Sequence, residues 1–278
     1  MLRFLCLLAA ALILATPAVA QLDLPGAVPT ASDQPAGATS APAKPTLRKI
    51  ARRVTAPTLK SVVRHPLRLN GGDGELDLSE MGGSSETGKG KDNQPLRVDR
   101  FTLMGEVVSN PSQKCRIDIV GESPLEAKPQ GAPDGLLRYE VAIPACPLTF
   151  DVLNGSVLAP QQSGACVFQA ADCQASPGGL WGPGAGDLEK DAKALEKERS
   201  RADASVSETI RALQKRDKGG FAELEREQAD FASQREDVCR NYLGEGQFGF
   251  CATRLTEARA ALLHKRLLDL KKAAEGDE

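Results

Sequence analysis

The sequence has few aromatic residues, only two histidines and no closely spaced pair of cysteines. Aromatic side chains make up 4% of the 278 residues, so any core must be largely aliphatic and modest in size. His65 and His264 have no ligand-like spacing to any cysteines, and no Cys-x-x-Cys occurs, which argues against the alternative of a zinc site. We therefore expect no metal and no cofactor.

Neither sign of charge predominates, since the sequence contains 35 basic and 37 acidic residues. This balance gives no case for a nucleic-acid partner. The glycine-rich stretch at 82–93, GGSSETGKGKDN, lacks the spacing of a phosphate-binding loop and is predicted to be a mobile insert. Neither histidine has a plausible Ser or Cys nucleophile near it in sequence, so we do not expect an enzyme.

The first residues have the pattern of an export signal. One cation, Arg3, precedes an apolar run at 4–14, and the small residues Ala18-Val19-Ala20 follow. Because the run is too short to span a membrane, we expect a cleavable signal peptide at 1–20. An uncleaved anchor is the alternative. No later segment approaches twenty apolar residues, so no transmembrane span is expected after signal removal. The predicted location is periplasmic or secreted.

Residues 21–66 are rich in Pro and Ala and poor in apolar side chains, which predicts a disordered linker. The second half of the linker begins a basic run without any acidic residue. A solvated tether is favoured over weak contact with anionic envelope polymers. The cations of the run are Lys44, Arg48, Lys49, Arg52, Arg53, Lys60, Arg64 and Arg68.

Six cysteines remain after the predicted cleavage, an even number that favours disulfides in an oxidising compartment. Six cysteines allow fifteen different sets of pairs. Order along the chain suggests the pairs Cys115–Cys146, Cys166–Cys173 and Cys239–Cys251.

Residues 67–174 are predicted to form a small antiparallel β domain that carries disulfides. Apolar residues alternate with polar ones in several runs, as in Tyr139 and Val141 beside Arg138 and Glu140. The pair Asn154-Gly155 is a strong hairpin signal. We expect about six to eight short strands in a sandwich or curled sheet.

Residues 175–186 are predicted to be a junction, in which Trp181 packs where two domains meet or, alternatively, offers a binding platform. Residues 187–278 carry three amphipathic stripes, the first capped by Asp187 and broken at Gly219-Gly220. The stripes predict a helical hairpin or three-helix bundle stapled by a disulfide, and an α+β protein overall.

Residues 228–263 carry a pattern on either side of a short loop. Before the loop stand Gln228, Phe231, Arg235, Glu236 and Cys239, and after it stand Cys251, Leu255, Arg259 and Leu262. This pattern of a Gln, an aromatic residue, an Arg–acid pair and a Cys, then a Cys, two apolar residues and an Arg, resembles the second half of the LprI-type lysozyme-inhibitor domain, a small helical domain of exported bacterial proteins. Within this pattern, Arg235 is expected to pair with an acid of the last helix such as Glu257, and Phe231 to fill the space between the helices.

The resemblance implies an exported protein that inhibits a lysozyme by protein–protein interaction. The loop residues Arg240, Asn241 and Gln247 are the candidate partner contacts, because a lysozyme cleft holds two catalytic carboxylates. Arg235 and Arg259 are expected to be structural, with direct ligand contact as the alternative. A structural or scaffolding role with another envelope protein is the alternative function.

Overall fold

Eleven strands and four α-helices lie in the part of the chain that the structure describes, residues 57–81, 94–161, 164–216 and 219–276 of a computed structural model. The predicted signal peptide, the linker up to residue 56 and the insert at 82–93 lie outside these residues. The strands are β1 (Leu67–Leu69), β2 (Gly74–Glu80), β3 (Leu96–Val107), β4 (Lys114–Asp118), β5 (Leu125–Pro129), β6 (Arg138–Val141), β7 (Leu148–Leu153), β8 (Ser156–Ala159), β9 (Cys166–Phe168), β10 (Cys173–Ala175) and β11 (Gly179–Gly182). The helices are α1 (Ala185–Arg216), α2 (Phe221–Cys239), the short α3 (Glu245–Phe248) and α4 (Phe250–Gly276). The predicted α+β class is confirmed.

Eight of the described strands form a barrel-like ring in which all neighbouring strands are antiparallel. The order around the ring is β1, β2, β3, β5, β6, β7, β8 and β11, and β11 pairs again with β1. The long strand β3 also pairs with β4 and β10, and β9 pairs with β10. Closure pairs each ring strand with a neighbour on both sides, and in this way a barrel avoids the exposed edges of an open sheet.

Side chains from alternate positions fill the interior of the ring. Tyr139 stacks on Phe150 with ring centroids 5.7 Å apart, and Trp181 meets Phe101 edge-on at 5.3 Å. The predicted alternation is confirmed for these strands, as is the hairpin at Asn154-Gly155 between β7 and β8. The expected number of strands is too small, because the three-residue strands β1, β9 and β10 are too short to show alternation.

The prediction of a disordered linker at 21–66 is wrong for the last residues of that range, from residue 59 onward. Leu59, Val62 and Val63 are buried in the barrel core, and Val63 bridges to Leu78 of β2. Arg68, the last cation of the basic run, lies on β1 and pairs with Glu75 at 3.2 Å. Three apolar side chains within five residues are enough to anchor this segment, although the composition around them is typical of a linker.

The predicted junction at 175–186 contains a strand of the ring, β11, in which all four residues are buried. Trp181 faces the barrel core, so the prediction that it packs between two domains is wrong. Its neighbour Leu180 faces the other side and packs with the helices. Because successive side chains of a strand point to opposite faces, β11 carries one core on each side.

Three disulfides are present among the described residues, and one of the three predicted pairs is confirmed. Cys239–Cys251 is as predicted, whereas Cys115 pairs with Cys173 and Cys146 with Cys166. The predicted pairs Cys115–Cys146 and Cys166–Cys173 are wrong because β10 returns to lie along β3, next to β4. Sequence order cannot show this return, since Cys115 and Cys173 are 58 residues apart.

The helical region differs from the prediction at the start of α1 and in how α4 packs. Helix α1 begins at Ala185, so Asp187 lies within its first turn and pairs with Lys190; it is not the predicted cap. Helix α4 packs mainly on α1, and the predicted pairing of α2 with α4 is a minor contact. The stripe predicted for α1 is buried as expected, at Leu188, Leu195, Ala202, Val206 and Leu213.

Candidate functional site

The disulfide Cys239–Cys251 joins the last residue of α2 to the second residue of α4. Residues 240–249 between these helices are called the stapled loop below. Two glycines with positive φ, Gly244 at 79° and Gly249 at 61°, stand on either side of the short helix α3. Most other residues are strained in this conformation, so the glycines let the loop turn twice within a few residues.

Glu245 of the stapled loop caps the start of α4. Its carboxylate accepts hydrogen bonds from the backbone N–H groups of Cys251 at 2.8 Å and Ala252 at 2.9 Å. The first N–H groups of a helix have no partner within the helix, and a negative charge is favourable there. The loop is therefore held to α4 by a covalent bond and by a charged cap.

The stapled loop also docks on the barrel. The backbone N–H of Leu243 donates to the carbonyl oxygen of Asn70 at 2.8 Å, in the turn between β1 and β2. The buried Tyr242 donates its hydroxyl to the carbonyl oxygen of Pro183 at 2.8 Å and packs against Phe250, with ring centroids 5.5 Å apart. Burial, helped by the charge of Glu245, raises the pKa of the Tyr242 hydroxyl, so it remains a donor.

The three predicted partner contacts, Arg240, Asn241 and Gln247, are all exposed on this loop. Arg240 makes one ion pair, with Asp237 at 2.6 Å on the surface of α2. Leu243 lies among them with 53% of its surface exposed. It was not among the predicted contacts, although an apolar residue inside a glycine-rich loop is a recognisable signal for one.

The motif residues of α2 and α4 come together around one aromatic ring. The guanidinium carbons of Arg235 and Arg259 lie 5.7 and 5.6 Å from the centroid of Phe231, which is within the range of a cation–π contact. Gln228 accepts a hydrogen bond from Arg259 at 3.3 Å. Of the other motif positions, Leu255 is buried, Leu262 is half-buried and Glu236 is exposed.

The predicted ion pair between Arg235 and Glu257 is wrong. Arg235 donates to the hydroxyl of Thr256 at 2.9 Å, and Glu257 pairs with Arg254 at 2.9 Å. Successive residues of a helix point about 100° apart, so Thr256 faces α2 while Glu257 turns toward α1 and the β7–β8 turn.

Arg254 and Glu257 belong to a buried charged cluster that the sequence analysis missed. Arg254 also pairs with Glu198 of α1 at 2.8 Å and lies over the ring of Phe250, 4.8 Å from its centroid. Burial raises the pKa of Glu257 above its ordinary value of 4.5, and the neighbouring Arg254 opposes this rise only in part. Buried charges are retained where they are paired, so this cluster joins α1 to α4.

A groove lies beneath α2, with a volume of about 510 Å³. It is bounded by α2, by α4, by the barrel strands β7 and β8 and by the loop between β5 and β6. The motif residues Phe231, Arg235, Leu255, Arg259 and Leu262 all line it. The groove and the stapled loop are two surface features that the motif region forms.

Among the described residues, no group of three or more His, Cys, Asp or Glu side chains is placed to hold a metal ion. His65 is exposed beside the first strand, and His264 is half-buried on α4. Within the same part of the chain, no helix is both long and apolar enough to cross a membrane.

Comparison with family models, with curated proteins and with solved structures gives no match for this chain. The resemblance to the LprI-type domain therefore stays a prediction that depends on the motif residues and on the disulfide between α2 and α4.

Proposed function

We propose that this chain is an exported binding protein, not an enzyme, that inhibits a muramidase by inserting the stapled loop into the enzyme's cleft. The observation that carries the proposal is the loop itself. It is fixed by the Cys239–Cys251 bond, by the Glu245 cap and by contacts of Tyr242 and Leu243 with the barrel side. A loop that is already ordered loses little conformational entropy on binding, which favours affinity.

The exposed chemistry of the loop suits an acidic cleft. Muramidases place two carboxyl groups on either side of the bond that they cleave. Arg240 offers a guanidinium that can form charge-assisted hydrogen bonds to such a group, since its pairing with Asp237 is on the surface and weak. Leu243, three residues after Arg240 in the same loop, is exposed and supplies an apolar contact.

Export is supported by the pattern of the first twenty residues and by the three disulfides among the described residues. Structural disulfides persist in oxidising compartments and are uncommon in the cytosol. The helical region would then be a stapled unit in which the disulfide fixes α2 against the start of α4.

A turbidity assay with bacterial cell walls tests the proposal. Purified, oxidised protein at micromolar excess should slow lysis by a muramidase, and Arg240→Glu and Leu243→Asp should each weaken inhibition at least about ten-fold. Arg226→Glu is the matched control, because Arg226 lies on α2 far from the loop and, among the described residues, forms an ion pair only with Glu223 at the surface. Undiminished lysis at this excess would overturn the proposal.

A further inference from the structure

Helix α2 buries one side chain near each of its two ends. Within α2, all of whose residues are described, Leu224 and Cys239 are the buried side chains. Leu224 packs with Leu263 and Leu267 of α4, and Cys239 forms the disulfide. The middle of the helix is only partly covered, and the groove lies beneath it.

The groove beneath α2 has an apolar floor. Helix α2 contributes Phe231 and Val238, the barrel side contributes Leu136 and Leu158, and the rest comes from α4. A volume of about 510 Å³ lies within the range of ligand-binding clefts, and an apolar floor is typical of them. An isolated helix of this length gains little stability unless its apolar face is covered. The partial cover of Phe231 and Val238 therefore leaves room for an additional contact.

Most charges at the rim of the groove are already paired. Asp134 and Asp151 accept hydrogen bonds from Arg138 at 2.9 and 2.7 Å. Glu227 pairs with Arg266 at 3.0 Å and with Arg259 at 3.4 Å. These pairs leave little net charge on this part of the rim.

Two charges of opposite sign are exceptions. Asp230 and Arg235 both line the groove, and neither makes an ion pair with another described residue. Arg235 is half-buried, lies over Phe231 and donates to the neutral Thr256 hydroxyl. The two are five positions apart in α2, which places them about 7.5 Å apart along the helix axis. The groove thus has a basic end toward the disulfide and an acidic end away from it.

We propose that the groove beneath α2 binds a segment of a partner protein that carries an apolar side chain between one acidic and one basic residue. The apolar side chain packs on Phe231, the carboxylate binds Arg235 and the cation binds Asp230. Charge complementarity of this kind fixes the direction and register of a bound segment. The proposal does not depend on muramidase inhibition, because it uses a different surface from the exposed side of the stapled loop.

The two unpaired charges also decide between occupants. An apolar small molecule with one charged end leaves either Asp230 or Arg235 without a partner. The basic run of this chain, from Lys44 onward, contains no acidic residue and therefore no side-chain carboxylate that could pair with Arg235. A peptide segment with both charges satisfies both ends of the groove and its apolar floor together.

Phage display of random twelve-residue peptides on the purified, oxidised full chain tests the proposal. We expect the selected peptides to share an apolar residue between an acidic and a basic residue. A synthetic peptide of the selected sequence should bind in a fluorescence-polarisation titration. Asp230→Lys and Arg235→Glu should each weaken its binding about ten-fold, which corresponds to about 1.4 kcal/mol. Glu225→Lys and Arg226→Glu are the matched controls, since they make the same charge changes on exposed positions of α2 that do not line the groove.

A charge swap separates loss of binding from loss of structure. A second peptide has its acidic and basic residues exchanged. The double variant Asp230→Lys/Arg235→Glu should bind this second peptide more tightly than it binds the original peptide. A misfolded variant cannot show this reversal. Selection of peptides without the two charges, or equal binding by the wild type and the double variant, would overturn the proposal. Two other occupants would also contradict the proposal. One is a second copy of the chain, shown by self-association that the same variants abolish, and the other is the basic run, shown by binding of a synthetic peptide of residues 40–56 in the groove.

Discussion

The backbone N–H of Leu243 and the carbonyl oxygen of Asn70 form a hydrogen bond of 2.8 Å that joins the stapled loop to the β1–β2 turn. The two residues lie in different parts of the fold, one between helices and the other between strands of the barrel. This bond, together with that of Tyr242 to Pro183, means that the loop conformation depends on the barrel as well as on the disulfide.

Substitution of Gly71 is expected to displace the stapled loop. Gly71 has a φ of 81°, and a Cβ atom at this position would lie 2.9 Å from Cβ of Leu243. Gly71→Ala should therefore cost about 1–3 kcal/mol of unfolding free energy, since both the backbone and the contact become strained. Urea denaturation measures the cost, and hydrogen exchange should show faster exchange of the Leu243 amide.

Gly72→Ala is the matched control for this change. A Cβ atom at Gly72 meets no other atom within 4 Å, so the neighbouring substitution adds the same group without the contact. If both variants lose equal stability and the Leu243 amide stays protected in each, the turn does not support the loop in the way described.

Removal of the disulfide between α2 and α4 is expected to destabilise the helical region. The double variant Cys239→Ala/Cys251→Ala opens a closed segment with a sequence separation of 12, which should cost about 3 kcal/mol in the chain-entropy account. Urea denaturation of the oxidised proteins provides the comparison. A loss below about 1 kcal/mol would mean that the barrel contacts hold the loop without the bond.

Peptide mapping of the oxidised protein should find Cys115 linked to Cys173 and Cys146 linked to Cys166, in addition to Cys239 linked to Cys251. The first pair connects β4 and β10, which both pair with β3. A fragment that links Cys115 to Cys146 would instead support the order along the chain and contradict the strand arrangement. Digestion without reductant, followed by mass spectrometry, distinguishes the two patterns.

Local features of the fold could be predicted from the sequence because they depend on neighbouring residues. The hairpin at Asn154-Gly155 needs two residues that accept positive φ, and the stripe on α1 needs only helical spacing. The disulfide Cys239–Cys251 joins helix ends that are close in sequence, so its pairing could also be predicted.

Features that depend on distant strands could not be predicted. The return of β10 to β3 decides the pairing of Cys115, and the position of β11 between β1 and β8 buries Trp181. The sequence of β11, Gly179 to Gly182, contains no polar side chain, so it shows no polar–apolar alternation by which a strand could be predicted. At the candidate site, the exposed loop residues could be predicted, whereas the groove requires the position of α2 relative to the barrel.

The buried charge of Glu257 is expected to make stability depend on pH. Because burial raises the pKa of this carboxyl in the folded protein above the ordinary value of 4.5, the folded state holds the proton more tightly than the unfolded state. The contribution of this group to stability is fully present below 4.5 and is lost as the pH rises through the raised pKa, by at most about 1.4 kcal/mol per pH unit. Arg254, with Glu198 beside it, limits the loss by pairing with the ionised form.

Glu257→Gln isolates this contribution, because glutamine resembles the protonated acid and does not titrate. The free energy of unfolding, measured by urea denaturation from pH 4 upward, should be similar for the two proteins at the acidic end. The variant should then become the more stable of the two as the pH increases. Glu225→Gln, which removes an exposed acid of α2, is the control and should follow the wild type. Parallel profiles for the wild type and Glu257→Gln would mean that Arg254 compensates the burial of Glu257 completely.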